Sequence, residues 1–153
     1  MVNNFRFEEP GIALSAFPET AAAVDWLYDQ GIRTVVSLHP VPAAAAERLR
    51  QRSIRWEPAL VTDWSEGVPG SLAGVLETAD RLAEEDPAVL IHCQGGGGRA
   101  GTAYAALLIQ RGVPVDEAIR RVPGVQRAEQ KAFLHGFAAG RASAAVTIRQ
   151  LSP

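Results

Sequence analysis

The chain has 153 residues, 47% apolar and 21% charged, with a formal net charge of −2, a balance that fits one soluble globular domain with an ordinary core. The small charge, with no block of one sign, points away from nucleic acid and acidic membrane surfaces as partners. No stretch of about 18 apolar residues occurs, the first residues lack a signal-peptide pattern, and Cys93 is the lone cysteine; a cytoplasmic monomer that folds without a disulfide is expected.

In chain order, Phe5-Arg6-Phe7 alternates and Ile12–Ser15 follows a Pro10-Gly11 turn, which reads as two short strands. A helix opens after Pro18-Glu19-Thr20, with Ala23, Trp26 and Leu27 on one face, and Gly31 ends it. Ile32–Leu38 is β-branched and reads as a buried strand, broken by His39-Pro40. Ala43–Arg52 follows as a helix and Ile54–Leu60 as a strand, weakened towards its end by Pro58. A polar loop, 62–70, holds Asp63, Trp64 and Glu66, and Ser71 is placed to cap a helix through Glu85. The strand Ala88–His92 is the most apolar of the chain. Helices are then expected from about Ala100 to Arg111, from Val113-Pro114 to Arg121, and from Ala128 to about Gly140. Strands alternating with helices imply a single α/β domain over 1–140, with a central, mainly parallel sheet of four to five strands flanked by helices. The tail, 141–153, contains Val146-Thr147-Ile148 and reads as a short extra strand or a loosely packed extension.

The stretch His92-Cys93-Gln94-Gly95-Gly96-Gly97-Gly98-Arg99-Ala100-Gly101-Thr102 carries the chemistry. Its G-x-G-x-x-G register lacks the Rossmann context, since only helices follow before the tail. A nucleotide P-loop would need a Lys directly after the last glycine and a Ser or Thr after that Lys, and neither stands there. A loop cysteine of the sulfur-transfer kind would sit in a shorter loop. The spacing from Cys93 to Arg99 is C-x5-R, and that pattern suits a phosphoryl dianion. Glycines let the backbone N–H groups of 94–98 turn inward without Cβ clashes, and the Arg99 fork can hold two oxygens. A helix N-terminus and converging amides also favour a thiolate, lowering a cysteine pKa from about 8.5 into the range of roughly 3.5–7.5 in such sites.

These residues resemble the protein tyrosine phosphatase superfamily in its compact dual-specificity branch, most of all the small archaeal and bacterial members. The pattern H-C-x-x-G-x-x-R-[ST]-G is matched by His92, Cys93, Gly96, Arg99 and Gly101. Ile12–Pro18 resembles the opening strand and Phe-Pro turn of those proteins, and Pro123-Gly124 through Gln130 resembles their Pro-Gly segment before the last helix. The resemblance spans about residues 5–140 and implies a phosphatase acting through a phosphocysteine. It assigns Cys93 as nucleophile, Gln94–Gly98 and Arg99 as the phosphate cradle, and Asp63 as general acid with Glu66 as rival. Supporting positions are His92, expected to steady the loop by hydrogen bonding, and Gln130, which would orient the attacking water or else be merely solvated. Ala100 stands where the family usually has Ser or Thr, and Thr102 lies too far along the helix to be taken as a substitute, so a functional enzyme limited by hydrolysis is expected, the alternative being a weak or inactive phosphate- or phosphopeptide-binding relative, or a small-molecule phosphatase. His39 and His135 read as ordinary loop and helix-surface histidines. No His/Cys/Asp cluster has metal spacing, no cofactor is expected, and the partner is a phosphorylated protein or a small phosphoester.

Overall fold

A computed structural model describes residues 1–61, 72–84 and 88–151, with the backbone alone from 141 onward. Five strands, β1 (Arg6–Glu9), β2 (Ile12–Ala16), β3 (Ile32–Ser37), β4 (Arg55–Pro58) and β5 (Ala88–Cys93), form one sheet in the order β1-β2-β5-β3-β4. Only β1 runs antiparallel, returning onto β2 through the Pro10-Gly11 turn. In the centre, β5 pairs in parallel with β2 on one side and β3 on the other, and every residue of β2 and β5 is buried. Strands covered on both faces read as continuous apolar runs, which is why Ala88–Cys93 lacks polar alternation.

The two faces divide by the period of two that a pleated strand imposes. Ala13, Val35 and Leu90 pack with Val24 and Leu27 of α1 (Ala21–Asp29) and Leu49 of α2 (Ala43–Gln51). Their neighbours Leu14, Val36 and Ile91 face the opposite layer, built from α3 (Leu72–Glu84), α4 (Gly98–Gln110), α5 (Val115–Arg121) and α6 (Ala128–Leu151). Thr20 opens α1 by accepting from the Ala23 N–H at 3.0 Å, a cap worth about 1 kcal/mol. At the centre of its layer lies α4, enclosed without interruption from Ala100 to Ile109.

Three expectations change in detail. Pro58 has no N–H for a ladder, so it closes β4, which lies at the sheet edge where such a residue is tolerated. Beyond it, Ala59 and Val61 still donate to Ser37 and Leu38 carbonyls, at 2.8 and 3.0 Å. The tail holds no extra strand among the described residues: Val146-Thr147-Ile148 continue α6, which runs on to Leu151. Its Ala-rich approach favours helix, and each β-branched residue costs at most about 0.7 kcal/mol against Ala. Lastly, α4 begins at Gly98, two residues before the expected start. The expected cap Ser71 lies outside the described residues.

Candidate active site

Strand β5 delivers Cys93 to the C-terminal edge of the sheet, where ligand crevices of parallel sheets form. The thiol is 2% exposed, at the floor of an open cavity of about 1030 Å³. Gln94, Gly95, Gly97, Gly98 and Arg99 line that floor with it. Gly96 is turned inward, and its N–H donates to Cys93 Sγ at 3.2 Å. Two features oblige a glycine there: φ is +86°, and a Cβ would lie 2.6 Å from the Ala16 nitrogen on the neighbouring strand. A second close approach locks the next residue. Gly124, in the turn before α6, comes so near that a Cβ on it would lie 2.4 Å from the Gly97 carbonyl oxygen.

Arg99, in the first turn of α4, donates through Nη1 to the Val61 carbonyl at 2.8 Å. That contact ties the guanidinium to the last described residue before the 62–71 segment. Asp63, Trp64 and Glu66 lie outside the described residues, so the expected acid has no structural account. Gln130 is buried at 6% exposure, and the merely solvated alternative is wrong for it. Its Oε1 accepts from the Gln126 and Arg127 N–H groups at 2.9 and 3.0 Å, the return half of a capping box at the start of α6. With the oxygen engaged, the amide is oriented and Nε2 is aimed at Gly98, 2.8 Å from where a Cβ would stand. Gln130 therefore offers the cavity a donor.

His92 is fully buried behind the loop and does not line the cavity. Its Nε2 meets Ser37 Oγ at 2.5 Å and its Nδ1 meets the Cys93 carbonyl at 3.2 Å. Burial, the largest cause, pulls its pKa down to about 4. Ala100 is 0% exposed, and the Thr102 hydroxyl is spent on the Gly98 carbonyl at 2.7 Å. No hydroxyl among the described residues reaches the sulfur.

The sequence reading missed several participants. Asn4 Nδ2 and Arg6 Nη1 donate to the Gly95 and Gly96 carbonyls at 3.3 and 2.8 Å. His39, in the loop after β3, lines the cavity with Pro40 and Leu60, its ring 4.9 Å from Phe17. Arg127 joins the opposite wall. His135, by contrast, is on the helix surface, 3.8 Å from Asp116. Among the described residues no group of His, Cys, Asp or Glu could hold a metal ion, and no helix is long and apolar enough to cross a membrane.

The fold has counterparts among solved structures. PTPMT1 superposes with a TM-score of 0.78 at 18% identity, over 94% of this chain and 99% of the other. TpbA of P. aeruginosa gives 0.69 at 22% identity, over 92% and 91%. Tk-PTP in its active form gives 0.70 at 25% identity, over 91% and 99%. All share this fold. Residues 3–147 match the Swiss Army Knife protein DSP-PTPase phosphatase domain. The chain belongs to that family, and so to the dual-specificity branch of the protein tyrosine phosphatase superfamily.

Proposed function

We propose that the protein hydrolyses phosphomonoesters, phosphotyrosine first and phosphoserine or phosphothreonine second, through a covalent phosphocysteine. The observation that supports it is the convergence on one cavity floor of the Cys93 sulfur, the glycine loop, Arg99 and the Gln130 amide. In this reading the phosphoryl group sits over Sγ, with its equatorial oxygens held by loop N–H groups and the Arg99 fork. The thiolate attacks phosphorus along the line of the leaving oxygen, forming the S–P bond as the P–O bond breaks. Asp63 gives its proton to that oxygen. Water then attacks the phosphocysteine, Asp63 takes its proton, and inorganic phosphate leaves with the thiolate restored. The Gln130 Nε2 donor suits the holding of that water.

A TpbA structure holds phosphotyrosine and a PTPMT1 structure holds PI(5)P, so related folds admit both. Residues 94–98 here carry no Lys or Arg, which argues against a multiply phosphorylated headgroup.

The test is hydrolysis of p-nitrophenyl phosphate by the wild type, Cys93→Ser and Asp63→Asn. Cys93→Ser should be inactive, and Asp63→Asn should lose about 10²–10⁴-fold in kcat while still binding phosphate. Turnover surviving in Cys93→Ser would overturn the mechanism. Full activity in Asp63→Asn would move the acid to Glu66.

A further inference from the structure

From Gly95 to Gly98 the loop has no side chain with which to hold its own peptide planes, and four glycines in a row have the widest conformational choice a chain can have. Something outside must select one arrangement. In a trans peptide the C=O and N–H of one unit point in opposite directions, and no described peptide bond is cis. A donor that captures a carbonyl on the outer side therefore aims the N–H of that same unit inward. The first unit shows this outright: Asn4 Nδ2 holds the Gly95 carbonyl at 3.3 Å, and the Gly96 N–H of that unit reaches Sγ at 3.2 Å. The second unit repeats it with a charged donor. Arg6 Nη1 holds the Gly96 carbonyl at 2.8 Å, and the following residue, Gly97, lines the cavity.

We propose that Arg6, assisted by Asn4, is a positioning residue that sets the phosphate cradle from behind, by fixing the outward carbonyls of Gly95 and Gly96. This rests on the phosphatase reading given above. Arg6 is well placed for the task because it is itself fixed. Its backbone is paired in β1 opposite Leu14, its Nε donates to Glu8 Oε1 at 2.9 Å, and the same Nη1 also donates to the Asn4 carbonyl at 2.9 Å. A hydrogen bond to a charged donor is shorter and stronger than a neutral one. It also polarises the peptide unit, which strengthens the inward N–H as an anion donor. The guanidinium donates from behind the anion site, its charge shared with Glu8, without occupying the cavity.

The experiment follows inorganic phosphate binding by 15N–1H NMR, together with kcat and KM for p-nitrophenyl phosphate, in wild type, Arg6→Ala, Arg6→Lys and Asn4→Ala. Arg6→Ala should weaken phosphate binding about tenfold and lower kcat/KM in step. The phosphate-induced shift of the Gly97 amide should shrink, while amides in α1 and α2 stay where they are. Arg6→Lys should recover most of the affinity, and Asn4→Ala, removing a longer neutral bond, should cost about two- to threefold. Wild-type phosphate affinity in any folded Arg6 variant other than Lys overturns the inference, as does a loss accompanied by shifts spread over the whole domain. If Arg6→Ala fails to fold, Asn4→Ala decides, and an unchanged Gly96 amide there is the overturning result. A wild-type protein that does not bind phosphate sinks the phosphatase reading and this inference together.

Discussion

Ser37 and His92 lie opposite each other in register on β3 and β5, and the Ser37 hydroxyl donates to His92 Nε2 at 2.5 Å. Direction follows from what each group can do. The indole of Trp56 is a donor only, and it reaches Ser37 Oγ at 2.8 Å, leaving the Ser37 proton for the imidazole. The Cys93 carbonyl is an acceptor only, so His92 Nδ1 carries the hydrogen facing it. The imidazole is neutral, in one tautomer, with both nitrogens satisfied. Replacing Ser37 by Ala leaves Nε2 buried and unpaired, and should cost about 1–3 kcal/mol in chemical denaturation. Trp56→Phe should cost less, because the Ser37 hydroxyl loses one donor but keeps its bond to His92 Nε2.

His92 also sets an acid limit on stability. Its pKa is about 4 in the native protein against an ordinary 6.5. Between those values the unfolded chain binds a proton here that the native protein refuses, so stability falls as pH falls through that window. The full span is worth about 3 kcal/mol. Denaturation midpoints measured from pH 7 to 4.5 should drop, and His92→Asn should remove a large part of the slope. A slope unchanged in that variant would assign the loss to other groups.

Gly124 offers a substitution with a defined collision. Gly124→Ala would set its methyl 2.4 Å from the Gly97 oxygen, and neither backbone can yield without moving the loop. Overpacking of this kind costs about 1–3 kcal/mol. Activity should fall by at least tenfold at temperatures where the variant remains folded, with thermal melting read alongside. Gly136→Ala, in open space on α6, is the control and should leave both measurements close to wild type.

Ala100 bears on the second half of the reaction. With Ala100 buried and the Thr102 hydroxyl committed to Gly98, no hydroxyl stands ready to ease departure of the sulfur. Rapid mixing with p-nitrophenyl phosphate should give a burst of nitrophenol close to one equivalent, followed by slower turnover. Ala100→Ser should raise the slow phase. Linear release from the first milliseconds would place the slow step before S–P bond formation.

The meeting of Cys93 and Arg99 at one cavity floor was legible in the chain because both lie within one turn of loop and helix, where spacing translates directly into geometry. The helix–strand alternation was readable for the same reason of locality. Arg6, Asn4 and Ser37 were not, since their roles come from strand order: the N-terminal segment lies beneath the loop only because β2 pairs with β5, and Ser37 meets His92 only because β3 takes the other side. Gln130 carried a faint signal, a Gln at the third helical position, but the matching cap residue is Arg127, which the capping-box pattern does not favour. The tail was misread because three β-branched residues outweighed an Ala-rich run that, in the folded chain, decides the outcome.

The enclosure of α4 bears on how the site answers to ionic strength. Charges in open water lose sight of each other beyond about 10 Å at 0.1 M salt. Arg127, with its side chain 77% exposed, is subject to that screening. Helix α4, enclosed from Ala100 to Ile109, holds its first turn fixed at the cavity floor, where the Gly97, Gly98 and Arg99 donors would meet an anion at hydrogen-bond distance, well inside that screening length. Phosphate affinity should therefore decline gently as sodium chloride rises to about 0.5 M, and Arg127→Ala should flatten the decline further. The cradle would keep its hold on an anion in brine that strips one from an exposed basic patch.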